Sequence, residues 1–209
     1  MAPHRSTAAP ELAGIEIHGI SRGAFLARGA LAAGAVYGVG TVGPFVSEAL
    51  AQSDAGDIDI VNFALTLEYL ETAFYAKALT LGLRAETMRL ARLLHGDEAQ
   101  HVAALAATAR KLGGTPAARP TFTFPITDEA SFLKLAQTLE DTGVGAYNGA
   151  APSIRSREVL GAAGSIVQVE ARHAAAIRLL NGTSPAPDAF DRPLTQDAVL
   201  AAVRPLIKS

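Results

Sequence analysis

Apolar residues recur at helical spacing through four long stretches of the chain, and in each stretch an ionisable residue stands inside the apolar row. From residue 57 onward, Val61, Leu65, Glu68, Thr72, Tyr75 and Leu79 fall on one helical face, with Asp57 suited to cap the start and Gly82 to end the helix. A second helix, from about Arg84 to Leu112, carries Ala91, Leu94, Glu98, His101, Leu105 and Leu112 on its inner stripe, and Gly113-Gly114 stops it. Pro116, Pro120 and Pro125 then block helix while Thr121-Phe122-Thr123-Phe124 alternates like a strand. That segment reads as an extended crossover strapped along the helices, without a true sheet strand. Asp128 caps a third helix, in which Leu133, Ala136, Glu140 and Tyr147 share one side. Pro152-Ser153 restarts the chain as a fourth, which aligns Ala163, Ile166, Glu170, His173, Ile177 and Leu180 until Asn181-Gly182 closes it. After a Pro-rich tail, Thr195 caps a short helix ending near Pro205. The pattern predicts an all-α four-helix bundle.

The ionisable residues in these rows repeat. Glu68, Tyr75, Glu98 and His101 recur as Glu140, Tyr147, Glu170 and His173, each shifted by 72 positions. A duplicated helix pair accounts for the constant shift. Each half holds a lone Glu on its first helix and Glu-x-x-His on its second, a spacing that puts both side chains on one face, one turn apart. Four carboxylates in an apolar core repel one another and lose their hydration, a prohibitive cost if they stay ionised and unpaired. Two divalent cations resolve the conflict, since four positive charges meet four negative ones and two neutral imidazoles complete the ligand set. One Glu from each of two helices plus Glu-x-x-His from each of the other two is the di-iron or di-manganese carboxylate pattern, and four helices with one long crossover have the ferritin-like topology. Oxygen and imidazole donors without thiolate suit iron or manganese better than copper(I) or structural zinc. The metal candidates are thus Glu68, Glu98, His101, Glu140, Glu170 and His173, with two Fe or two Mn ions as the cofactor.

Residues behind these six are also candidates. Tyr75 and Tyr147 stand two turns beyond Glu68 and Glu140 on the same stripes, placed to donate hydrogen bonds to ligand carboxylates or to relay an electron; ordinary core tyrosines are the alternative. Asp97 is suited to orient a ligand histidine from behind, although its counterpart in the repeat is Val169. Glu71, one turn from Glu68 and matched by Gly143, reads as a solvated glutamate rather than an extra ligand, and His95, matched by Val167, as a bundle-edge histidine.

Composition narrows the class. Of 209 residues, 49% are hydrophobic and 18% charged, which suits a compact body. The net charge of −2 offers nothing to nucleic acid. No cysteine is present, which excludes disulfides, iron–sulfur clusters and a built-in rubredoxin, so any electrons come from an external donor. Residues 1–51 read differently from the domain at 52–209. Ser21-Arg22-Gly23-Ala24-Phe25-Leu26 precedes an uncharged run from Gly29 to Ser47, and Ala49-Leu50-Ala51 offers the small residues a signal peptidase accepts. The frame resembles a twin-arginine export signal with Gly23 where the second arginine belongs, which leaves both the twin-arginine and the general secretory route open. An uncleaved membrane anchor is the alternative, since the run is near the lower length limit for a span.

The chain resembles the ferritin-like superfamily, and within it the exported ferritin-like domain family related to desiccation-associated proteins. The resemblance covers about residues 57–207 and is carried by the six-residue set, by Asn62-Phe63-Ala64-Leu65-Thr66-Leu67-Glu68-Tyr69-Leu70-Glu71, and by Pro193-Leu194-Thr195 with Val199-Leu200-Ala201-Ala202-Val203. It implies the six as metal ligands, with Glu98 and Glu170 bridging. The Glu-x-x-His symmetry is similar to that of rubrerythrins and manganese catalases and unlike the asymmetric set of storage ferritins. The function expected is redox chemistry with O2 or H2O2 in stress protection, as ferroxidase, peroxidase or catalase-like turnover. The alternative is a non-catalytic, metal-binding structural protein of the desiccation-related kind, since ligation can itself supply folding energy. The location expected is periplasmic or extracellular, and the oligomeric state is left open, a homo-oligomer included. The mature chain should begin near Gln52; intact-mass measurement on protein from its native host checks this, and a full-length cytoplasmic species would contradict it.

Overall fold

The computed structural model describes residues 56–208; the leader read over residues 1–51 lies outside them. Four long helices form the body: α1 (Asp57–Ala78), α2 (Ala85–Lys111), α3 (Glu129–Ala150) and α4 (Arg157–Leu180), followed by the short α5 (Gln196–Val203). The hairpins α1–α2 and α3–α4 are closed by short connections, α1 packs on α3, and α2 packs on α4. Among the described residues no helix is long and apolar enough to cross a membrane.

The expected caps hold at α3 and α5. Asp128 accepts the Ser131 N–H at 2.8 Å while the Ser131 hydroxyl accepts the Asp128 N–H at 3.1 Å, so two otherwise orphaned donors are satisfied. Thr195 Oγ1 accepts the Ala198 N–H at 3.2 Å. Gly113 (φ 79°) and Gly182 (φ 70°) end α2 and α4 in the left-handed conformation that glycine adopts without a Cβ clash.

Three boundaries differ from the sequence reading. Asp57 does not cap α1, whose N-cap is Gly56; its carboxylate instead accepts the N–H groups of Arg155 and Ser156, both at 2.7 Å, and ties the start of α1 to that of α4. Pro152-Ser153 does not open α4 but lies in a 3-10 turn, and Ser156 caps the helix by accepting the Val159 N–H. α1 ends at Ala78, ahead of Gly82, because Thr80 and Leu81 turn back onto the Lys77 and Ala78 carbonyls. The crossover is extended as expected. Asn62 pins its start through Thr115 and Ala117, and it makes a single isolated bridge, Phe122 with Ile207.

α3 is buried through its centre on nearly every side, since the C-terminal segment covers the face the other helices leave bare. The Leu194 N–H donates to the Gly145 carbonyl at 2.9 Å. A Cβ at Gly149 would sit 2.0 Å from the Leu194 carbonyl oxygen, so only glycine admits this approach. The apolar core divides into two clusters. One gathers Phe74, Leu94, Phe132, Leu133, Ile177, Val199 and Val203; the other gathers Val61, Leu65, Leu105, Ala109, Val159 and Ile166. Between them on every long helix lies a buried polar layer.

Gly149→Ala should destabilise the domain by about 1–3 kcal/mol or more through forced backbone displacement. Gly161→Ala, at an exposed helical position with open space around it, should stabilise it by roughly 0.5–1 kcal/mol. Urea unfolding of the two variants beside the parent chain measures both.

Candidate metal centre

The polar layer consists of Glu68 and Glu71 from α1, Glu98 and His101 from α2, Glu140 from α3, and Glu170 and His173 from α4, all buried. All six sequence-predicted ligand candidates therefore meet in one place. Helical spacing delivers them: each stands at a core-facing position between apolar neighbours of the two clusters, so the packing that buries Leu65 and Tyr75 must bury Glu68 between them.

The geometry is paired. His101 Nδ1 lies 2.9 Å from Glu170 Oε1, 3.0 Å from Glu98 Oε2 and 3.2 Å from Glu68 Oε2. His173 Nδ1 lies 2.9 Å from Glu98 Oε1, 3.6 Å from Glu140 Oε2 and 3.9 Å from Glu170 Oε2. Two overlapping groups result, Glu68/Glu98/His101/Glu170 and Glu98/Glu140/Glu170/His173, each with donor atoms all within 4.8 Å of one another. Glu98 and Glu170 belong to both and turn one oxygen toward each imidazole. Glu98 Oε1, Glu140 Oε2, both Glu170 oxygens and His173 Nδ1 are buried without a hydrogen-bond partner. Orphaned acceptors of this kind are rare in protein interiors, and a cation among them would satisfy them all. The buried Glu/His cluster can hold metal.

Tyr75 and Tyr147 also reach the layer, one from each apolar cluster. Each crosses to the other half of the repeat: the Tyr147 hydroxyl donates to Glu68 Oε1 at 2.6 Å, and the Tyr75 hydroxyl donates to Glu140 Oε1. In both glutamates the second oxygen is left to face the cluster. Asp97, half-buried on α2, sits 3.2 Å from His173 Nε2 on α4. It is thus positioned behind the histidine of the opposite helix, and Val169 at the equivalent place gives His101 no such partner. His95 is half-buried and outside the cluster, as expected.

Glu71 departs from the sequence reading. It is 3% exposed, not solvated, and its carboxylate occupies the space above Gly143. Its exclusion from solvent depends on a glycine 72 residues away in the repeat, and only the pairing of α1 with α3 brings the two together.

Electrostatics without metal follow from burial. Desolvation, reinforced by the Glu170 carboxylate, holds the Glu68, Glu71 and Glu140 carboxyls well above the usual range. Glu170 is raised by burial too. Burial likewise lifts both tyrosines, each facing a carboxylate. Glu98 goes the other way: burial opposes its ionisation, but the His101 and His173 imidazoles beside it hold it down at about 2. Burial disfavours the His101 imidazolium, yet Glu170, Glu68 and Glu98 outweigh it and push His101 up to about 12. His173 is raised, with burial outweighed chiefly by Glu98. In the metal-free layer the two imidazoles, both shifted toward their charged form, stand where cations are wanted.

Between α2 and α4 a surface groove of ≈ 500 Å³ runs down to this layer, lined by Leu93, Asp97, Gln100, Arg172, His101 and His173 among others. It joins solvent to the imidazole side of the cluster.

A family profile described as a ferritin-like domain matches residues 56–183. The fold is similar to the crystal structure of a conserved hypothetical protein from Mycobacterium tuberculosis, with 17% identity, a TM-score of 0.57, and coverage of 64% of this chain and 96% of that one. A search of curated proteins finds no match.

The raised carboxyls and raised imidazoles act in one direction on metal-free stability. A carboxyl raised on folding destabilises the fold as pH climbs above its unfolded value, and an imidazole raised on folding loses its contribution as pH climbs from its unfolded value toward about 12. The metal-free domain should therefore melt at higher temperature near pH 5 than near pH 8, and Mn(II) should reverse the order, because the ligands bind deprotonated. Calorimetric melts with and without Mn(II) across that range check it; superimposable pH profiles would contradict it.

Proposed function

This chain belongs to the ferritin-like domain family, and on that premise we propose that its buried layer binds a dinuclear iron or manganese centre that reacts with O2 or peroxide. The observation that carries this reading is the placement of Glu98 and Glu170, each with one oxygen toward His101 and the other toward His173. Carboxylates so placed could serve two ions, one of which Glu68 and His101 would help to hold and the other Glu140 and His173. A bound iron or manganese pair supplies redox exchange with O2 or peroxide.

The chain's own residues do the rest. The tyrosines fix the Glu68 and Glu140 carboxylates, leaving one oxygen of each toward an ion. Asp97 accepts the His173 Nε2–H and so presents the Nδ1 lone pair inward, the outer partner that ligand imidazoles usually have. The two apolar clusters keep bulk water from both ends of the layer, and the groove beside His101 and His173 is a route for a small oxidant and for protons. An open route favours turnover over the purely structural, desiccation-related reading, since a site serving stability alone has no use for one. Electrons beyond those the metals hold come from an external donor, the chain having no cysteine for a rubredoxin module. An exported location rests on the sequence of residues 1–51, and a stress-protective role on the resemblance to desiccation-associated proteins.

Protein purified from its native host should carry two iron or manganese ions per chain. Glu98→Ala and Glu170→Ala should each lose more metal than Glu68→Ala or Glu140→Ala, because a shared carboxylate serves both ions. Elemental analysis of the four variants, followed by O2 and H2O2 turnover assays on the parent, tests the reading; one ion per chain at saturation, or zinc alone bound tightly, would refute it.

A further inference from the structure

The two apolar clusters beside the layer are counterparts in the 72-residue repeat, but their side chains differ in bulk. At the Tyr75 end, Phe74 stacks on Phe132 with ring centroids 5.3 Å apart and meets Phe124 edge-on at 5.4 Å. Tyr75 packs edge-on against the same Phe132 at 6.0 Å. At the Tyr147 end, the positions equivalent to Phe74, Phe132, Leu90 and Leu180 hold Ala146, Ile60, Ala162 and Thr108. Phe63, equivalent to Leu135, restores only part of that loss. A pocket of ≈ 30 Å³ remains, with all five of these residues and Tyr147 on its wall. Ala146 and Tyr147 are buried, whereas Phe63, Thr108 and Ala162 are half-buried and form the rim. Thr108 and Tyr147 carry the only polar side chains of the lining, and both are engaged. The Thr108 hydroxyl donates to the Ala104 carbonyl at 2.8 Å, and the Tyr147 hydroxyl to Glu68 Oε1 at 2.6 Å. Neither has a proton left to offer, and a buried water needs about two to four polar partners, so the pocket prefers an apolar guest.

We infer that this pocket is a binding site for dioxygen, set against the Glu68 side of the layer. Size and chemistry choose the occupant. A volume of ≈ 30 Å³ is about twice what a single water requires, room for a diatomic molecule but not for an alkyl chain. Hydrogen peroxide would leave its hydrogen bonds unmade there, a cost that O2 does not carry. The pocket also borders the layer. Leu67 on its wall adjoins Glu68 on α1, Leu105 lies one turn beyond His101 on α2, and Tyr147 links the wall to Glu68 through its hydroxyl. The groove between α2 and α4 has Asp97, Gln100 and Arg172 on its sides and suits protons and peroxide. O2 therefore has an apolar approach of its own. This inference rests on the dinuclear reading above for what the O2 meets, and deepens it by naming the oxidant and its place of entry.

Xenon, an apolar atom that enters dry cavities, probes the pocket in the metal-free full chain by xenon NMR. The parent should show one saturable xenon site per chain. Dissolved O2, being paramagnetic, should broaden the methyl signal of Ala146 more than that of Ala91, although both are buried. Ala146→Phe and Ala162→Leu put back the bulk that Phe74 and Leu90 supply at the other end. Each should weaken xenon binding by about tenfold or more, since a filled interior has no room for a guest. Ala162→Leu, at a half-buried position in a helix that leucine favours, carries the test if Ala146→Phe overpacks the core. Both variants should bind Mn(II) as the parent does. Loaded with Fe(II), they should show a several-fold higher KM for O2, with kcat and the rate with H2O2 unchanged. Xenon that does not saturate, or that binds Ala162→Leu as tightly as the parent, would overturn the inference. So would an unchanged KM for O2 in a variant that has lost xenon. A parent chain that takes up xenon and O2 at Ala146 but binds no metal would overturn the dinuclear reading and leave the gas site standing.

Discussion

Five carboxylates buried between two apolar clusters are the constraint around which this domain is built. Ionised and bare, such groups cost several kcal/mol each to bury, against a total folding stability of about 5–15 kcal/mol. No arrangement of the apolar residues alone can absorb that. The layer is tolerable when protons or metal cations neutralise it: without metal, burial shifts Glu68, Glu71, Glu140 and Glu170 toward their neutral form, and the neighbouring carboxylates shift His101 and His173 toward their charged one. A domain that keeps so costly a layer at the centre of its bundle gains from it something other than packing.

The scaffold holds the layer still. Each long helix contributes to both apolar clusters, one on either side of its polar residue, so sliding any helix along its axis would pull apolar side chains from both clusters together. Asp57 ties the starts of α1 and α4, Asn62 fastens the crossover to α1, and Leu194 locks the C-terminal segment onto α3 through Gly145 and Gly149. α3 is enclosed on the face that a four-helix bundle would otherwise expose. Carboxylates placed on such helices are preorganised, and the tyrosines remove the rotational freedom that remains.

The duplication gives the layer its approximate two-fold character, and the departures from it give it direction. Tyr75 and Tyr147 exchange partners across the halves, which symmetry requires of both or neither. Glu71 and Asp97 have no such counterparts. Gly143 and Val169, the residues that replace them, are small or apolar, so the second half leaves the space that Glu71 fills and omits the support that Asp97 provides.

Much of this was legible in the sequence because helices report their buried face through local periodicity. The four long helices, the extended crossover, the caps at Asp128 and Thr195, and the meeting of Glu68, Glu98, His101, Glu140, Glu170 and His173 follow from spacing and from the 72-residue repeat. What sequence could not decide was anything that depends on which helix faces which. Asp57 has the composition of a cap for its own helix, but the two N–H groups it accepts lie 98 and 99 residues away. Tyr75 and Tyr147 share a stripe with Glu68 and Glu140, yet each bonds the glutamate of the other stripe. Glu71 reads as solvated on α1 alone, since a position one turn from the core stripe is ordinarily wet. It is dry because α3 presents glycine opposite it, a contact between residues far apart in the chain that only the packed bundle creates.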